Sequence, residues 1–212
     1  MKDLWMANTG KFPPNKHVEI LHGIPEAYCY RAAEIYFDAF EEKIGWLLGG
    51  KKKGIPYIAS VLNPEFSICA ICRTGGADEL AGLVGFKTAQ GAMIEEGFSD
   101  LVASFGFLSA FWRALALSLL QRRVESGVLL MDGIAVAADQ RGAGIGTKLL
   151  KAVVNHARRN GYKWIRLDVI DSNPRARALY ERFGFDEVET EELGPFKHLF
   201  GFSSSTEMVL RI

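Results

Sequence analysis

The stretch Asp139–Leu150, DQRGAGIGTKLL, carries Arg141, then glycines at positions 142, 144 and 146, and turns at once into an apolar helical repeat. Alternate glycines let backbone N–H groups crowd around a ligand, and a helix N-terminus favours an anion. The chemistry this suggests is the gripping of a phosphate. A P-loop requires G-x-x-x-x-G-K-[ST], whereas Gly142–Lys148 reads GAGIGTK, with too few residues between glycines and Thr147 ahead of Lys148. A dinucleotide-binding loop requires G-x-G-x-x-G and an acid about 20 positions on. Gly142, Gly144 and Asp168 meet part of that pattern, but the third glycine comes one residue early and the loop follows a helix and a hairpin. The remaining pattern is R-x-x-G-x-G, from Arg141, Gly144 and Gly146, directly after a strand. Here Arg141 offers charge, and the N–H groups of Gly142, Ala143, Gly144, Ile145, Gly146 and Thr147 point at a pyrophosphate over the positive end of the helix dipole.

A second stretch, Asn173–Phe185, reads NPRARALYERFGF. Asn173 caps a helix with Pro174 in its first turn, and Ala176, Leu179, Tyr180 and Phe183 fall on adjoining faces. Asp132 stands inside the apolar strand LLMDGIAV, two residues before Ile134 and on the same side by strand alternation, where burial raises a carboxyl pKa. Cys69 and Cys72 form a C-x-x-C, but FSICAIC alternates like a strand and has no second pair or nearby histidine, so buried thiols are expected rather than a redox or zinc site. His156 reads as ordinary surface on a charged helix face, His198 lies in a late loop, and no constellation suggests a metal.

These residues need elements to hold them. The 212 residues are read as one domain over 18–212, preceded by a lead-in, 1–17. Lys plus Arg and Asp plus Glu both total 25, and the absence of a basic stripe argues against a nucleic-acid partner. Three cysteines without disulfide spacing, and no apolar run in MKDLWMANTGKFPPNK, lead us to expect a cytoplasmic protein. A short strand at Val18–Leu21 leads through GIPE into a helix from about Ala27 to Trp46, and GGKKKG, Gly49–Gly54, reads as a solvated loop. Phe66–Arg73 and Leu80–Lys87 read as a hairpin around TGGADE. In Leu101–Leu120 the only charge is Arg113. Its length admits a membrane span, but Arg113 and Gly106 interrupt it and strands flank it. A helical insertion over about 92–126 that buries itself, lines a pocket or covers a homodimer contact is the better account. From Gly127 strands and helices alternate: VLLMDGIAV, the glycine loop, a helix from about Gly144 to Asn160, WIRLDVI, a helix over Asn173–Phe183, then strands at about Glu187–Glu191 and Thr206–Leu210, with Gly161 and Gly184 as helix stops.

The pair of motifs, V-A-x-x-x-R-G-x-G-I-G followed by N-x-x-A-x-x-L-Y-x-x-x-G-F, closely resembles the GCN5-related N-acetyltransferase (GNAT) superfamily over Leu130–Phe185. The resemblance implies a mixed, twisted α/β sheet of about six to seven strands with helices on both faces, into which the helical insertion falls between the third and fourth strands. It implies acetyl-CoA as cosubstrate, with its pyrophosphate on Arg141 through Thr147 and its arm along Ile134, Ala135 and Val136. Asn173 and Ala176 would touch the arm, and a fork between that strand and WIRLDVI would admit the thioester. It further implies direct attack by a primary amine, from a small molecule or a peptide, in a ternary complex. A backbone donor at or beside Ile134 would face the oxyanion and Tyr180 would protonate the departing thiolate, since a phenol of reference pKa about 10 keeps its proton at pH 7. The plain alternative for Tyr180 is a core tyrosine. Asp132 is the candidate base, with a carboxylate bonded to nearby backbone or positioning the amine as its alternatives; Glu95 and Glu96 stand further out. DEVETEE, Asp186–Glu192, offers charge that draws a cation or simply faces solvent. A non-catalytic acyl-CoA sensor or interaction module is the rival reading.

Overall fold

Side chains alternate along two central strands and send apolar groups to both faces of one sheet. In the computed structural model, which describes residues 17–74, 77–95, 97–118, 124–194, 197 and 201–212, these are β2 (Ser67–Arg73) and β3 (Glu79–Thr88). Ile68, Ala70, Cys72, Ala81, Val84 and Phe86 join one core cluster, while Cys69, Ile71, Leu80 and Leu83 join another. A sheet buried on both sides needs a helical layer on each. The layers are α1 (Cys29–Ile44) on one face, through Ala32 and Ile35, and α5 (Ile145–Arg159) on the other, through Ile145, Leu149, Leu150, Val153, Val154 and Ala157. Cys69 and Cys72 therefore point to opposite faces, both buried, as free thiols.

The remaining strands are β1 (His17–His22), β4 (Gly91–Ala92), β5 (Val128–Val136), β6 (Trp164–Ile170), β7 (Asp186–Glu192) and β8 (Ser204–Arg211). The sheet runs β1-β2-β3-β5-β6-β8-β7, with the two-residue β4 paired to β3. Every pairing is antiparallel except β5 with β6. This is the mixed α/β sheet expected from the sequence. Helix α6 (Pro174–Phe183) follows β6 and packs Ala176, Leu179 and Tyr180 against the α5-side core.

Three readings of the sequence, those of GGKKKG, the first helix and His156, need correction. GGKKKG is not a loop, because α2 (Lys51–Val61) begins at its first lysine. What decides this is packing with α1: a Cβ on Gly54 would come within 2.3 Å of the Phe37 ring, so this glycine serves close helix approach, and Lys51 pairs with Asp38 at 2.8 Å. The first helix is shorter than expected, since Glu26–Tyr28 is a 3-10 turn and α1 ends at Ile44. The apolar run is two helices, α3 (Phe98–Phe105) and α4 (Phe107–Ser118), broken at Gly106. Among the described residues no helix is long and apolar enough to cross a membrane. Finally, His156 is not plain surface: it is half-buried, 4.8 Å from the Phe86 ring and 5.3 Å from His22, and burial pushes its pKa down. Glu96, His198 and residues 1–16 of the lead-in lie outside the described residues.

Candidate active site

Strands β5 and β6 pair only through Val128↔Trp164, Leu129↔Ile165 and Leu130↔Arg166. Beyond that point β5 continues on β3, through Val84↔Ile134, Leu83↔Ala135 and Gly82↔Val136, while β6 continues on β8. Parallel neighbours that stop pairing leave a wedge between them with unpaired backbone along its walls. The register between β3 and β5 slips at the same place: Gly85 faces Gly133 and Phe86 faces Met131, so Asp132 is the extra residue of a bulge. Gly133 has φ +145, and a Cβ there would meet the Phe40 ring at 2.5 Å, so only glycine lets α1 close over the bulge.

A cavity of about 970 Å³ opens at this wedge. It brings together Asp132, Ile134 and Val136 of β5, Arg141, Gly142, Gly144, Ile145, Gly146 and Thr147 of the loop and helix start, and Asn173, Ala176 and Tyr180 of the α6 segment. Two of the expected residues do not line it: Ala135 is fully buried in the α1-side core, and Ala143 is exposed on the loop. Gly144, at φ +75, is the left-handed residue before α5, and by helix geometry the N–H groups of Ile145, Gly146 and Thr147 have no acceptor within the helix. A Cβ on Gly142 or Gly144 would meet nothing within 4 Å, so the space above the loop is open to a ligand. Arg141 donates from Nε to the Val136 carbonyl at 3.2 Å, which holds its guanidinium at the end of β5. Arg175 and Arg182 add positive charge to the same cavity. They are two turns apart on one face of α6, a spacing that could have singled them out in the sequence.

Tyr180 is buried, and that burial pushes its phenol up to about 12, with a hydrogen bond to the Ile134 backbone offsetting part of the rise. It therefore holds its proton throughout the neutral range. Asn173 accepts from the Ala176 N–H at 3.1 Å and caps α6, as the sequence suggested. Asp132 is half-buried and its carboxyl is raised to about 6 by desolvation, with the charges of Lys43 and Lys87 pulling the other way.

A second cavity, of about 670 Å³, shares Phe40, Lys43, Asp132 and Asp168 with the first. Its walls are α1, the β3–β4 turn, the start of α3, Leu117 of α4, and Leu130 and Met131 of β5. The two cavities thus meet at the Asp132 bulge. Glu95 lines the second cavity but its Oε1 accepts the Ala92 N–H at 3.1 Å. The acidic strand β7 is exposed along its whole length and lines neither cavity. Phe40 and Lys43 have no local signal in the sequence, because α1 reaches the bulge only through the tertiary fold. Among the described residues no group of three metal-ligating side chains occurs.

The family model described as the acetyltransferase (GNAT) family matches residues 30–185. The chain is 38% identical over 72 residues to the probable N-acetyltransferase camello of Xenopus tropicalis, a match covering 34% of this chain and 33% of that protein. It is 36% identical over 64 residues to the thialysine N-epsilon-acetyltransferase of Bos taurus, covering 30% of this chain and 38% of that one. The matches span little more than a third of the length of these curated relatives. A solved GCN5-related N-acetyltransferase from Kribbella flavida shares the fold, with a TM-score of 0.60 at 13% identity over 92% of this chain and 98% of that one.

Proposed function

The chain belongs to the GNAT acetyltransferase family, and from that premise we propose that it transfers an acetyl group from acetyl-CoA to a primary amine by direct attack in a ternary complex. The observation that carries this reading is the meeting of two cavities at the β5–β6 opening, one on the glycine-loop side and one on the α3–α4 side. A cosubstrate and an acceptor can then approach one point from two sides. Acetyl-CoA supplies the thioester. The loop amides and the arginines hold its pyrophosphate, and the free edge of β5 past Leu130 offers backbone to its arm.

Asp132, at the junction, takes the proton of the incoming ammonium, which frees the nitrogen lone pair to form the C–N bond. As the C–S bond breaks, Tyr180 gives its proton to the sulfur; the second proton that the nitrogen sheds as the amide forms restores the phenol, and Asp132 releases its own to solvent. The Ile134 backbone, hydrogen-bonded with the Tyr180 hydroxyl, is the group assigned to the carbonyl oxygen as charge develops on it. Buried, unpaired on opposite faces and outside both cavities, Cys69 and Cys72 favour direct transfer over an acyl-enzyme.

The test is acetyl-CoA-dependent thiol release over a panel of primary amines, with the acetylated product identified by mass. Turnover that needs both partners is the expected result. Binding of acetyl-CoA with no acetylated product from any amine would overturn catalysis in favour of an acyl-CoA sensor.

A further inference from the structure

Resting on the reading of the second cavity as the acceptor's, we infer that Lys87 is a specificity-determining residue that selects amines carrying a carboxylate close to the reacting nitrogen. The charges lining this cavity are not equivalent. Glu95 accepts the Ala92 N–H at 3.1 Å and Asp100 accepts the Gly97 N–H at 3.0 Å, so both are engaged in holding the segment that leads into α3. Lys87, near the end of β3, is half-buried and lines the cavity, yet it forms no hydrogen bond or ion pair with any described residue.

The charge of Lys87 acts on Asp132 across the junction, and that carboxyl is neutral once it has taken the acceptor's proton, so a ligand carboxylate that pairs with this partly desolvated ammonium is favoured. Lys87 sits opposite Leu130, two residues before Asp132 on β5. The cation that would meet a carboxylate is therefore one strand across and two residues along from the group that would meet the amine. That separation suits an amino acid or a similarly short amino-carboxylate. Tyr36, Phe40, Ile44 and Leu117 give the cavity apolar wall for the rest of the acceptor.

Matched pairs that differ only in the carboxylate test this: phenylalanine against phenethylamine, and lysine against cadaverine, read as kcat/KM ratios by thiol release. The wild type is expected to favour the carboxylate member by at least about tenfold, as sites that pair a buried polar group do. Lys87→Met should collapse that ratio to within about threefold, chiefly through KM, while Lys87→Arg should keep it. Calorimetric titration of each pair into CoA-loaded protein reads the same preference without relying on turnover. A wild type that ignores the carboxylate, or a Lys87→Met ratio equal to that of wild type, overturns the inference and leaves acetyl transfer standing. A protein that binds no acetyl-CoA removes both.

Discussion

Tyr180 and Asp132 line the same opening, and in the proposed mechanism they take opposite tasks; burial shifts both groups. Desolvation disfavours a charged form, so it keeps the phenol of Tyr180 protonated and lifts the carboxyl of Asp132 to about 6, near the pH at which a base is useful. Tyr180→Phe should lower kcat at least about tenfold while leaving CoA affinity nearly unchanged, since only the transferable proton is lost; steady-state kinetics beside calorimetry checks it. For Asp132 the pH profile of kcat/KM should fall on the acid side with an apparent pKa near 6, because below that pH the carboxyl already carries its proton. The same shift predicts a stability effect of defined sign. Between the unfolded value near 3.8 and the folded value of about 6 the native protein retains a proton that the unfolded chain has released, so stability declines as pH rises through that window. Asp132→Asn removes the buried charge and should stabilise the protein at pH 7 by on the order of 1–3 kcal/mol, while abolishing the acid limb. Urea unfolding at pH 4 and pH 7 measures the difference. Asp132 itself was legible as an acid in an apolar strand, but its bulge was not, because the slip comes from Gly85 and Gly133 facing each other across two strands.

At the scale of elements, punctuation carried most of what the sequence revealed. Gly161 and Gly184 stop α5 and α6 where expected, and Asn173 with Pro174 starts α6. The lysines of GGKKKG misled because helix α2 is fixed by Gly54 against Phe37, a contact 17 residues away in sequence with no local signature. The apolar run over 101–120 was harder still. Its inner face buries Ala110, Ala116 and Leu117, while Phe107, Leu108, Phe111 and Leu115 face outward, so composition alone cannot assign a side. Arg113, the lone charge in that run, points inward: it donates from Nε to the Leu47 carbonyl at 2.7 Å, and its guanidinium lies 4.4 Å from the Phe105 ring and 4.3 Å from the Trp112 ring. It ties α4 to the turn after α1, so that Leu117 reaches the second cavity. Arg113→Ala should cost about 2–4 kcal/mol, from the lost hydrogen bonds to Leu47 and Ser109, the two ring contacts and the cavity left behind. Arg113→Met keeps the aliphatic volume and sheds the desolvated charge, so its loss should be the smaller. Chemical denaturation of both variants gives the ordering.

For the molecule as a whole, the layers serve one geometric end. Two helical faces hold a single sheet whose parallel pair opens after three residue pairs, and the two cavities join there. The turn from glycine loop into α5 was legible because it is written locally, in small residues ahead of an apolar helical repeat. Phe40, Lys43 and Lys87 were not, since α1 and the end of β3 meet the bulge only once the sheet has formed. A crystal structure of the protein grown with acetyl-CoA tests the arrangement most directly. We predict the pyrophosphate on the backbone amides between Gly142 and Thr147, with the thioester at the opening past Leu130 and Arg166, beside Tyr180. A nucleotide bound elsewhere on the sheet, or an acyl group directed away from the Asp132 junction, would contradict the account.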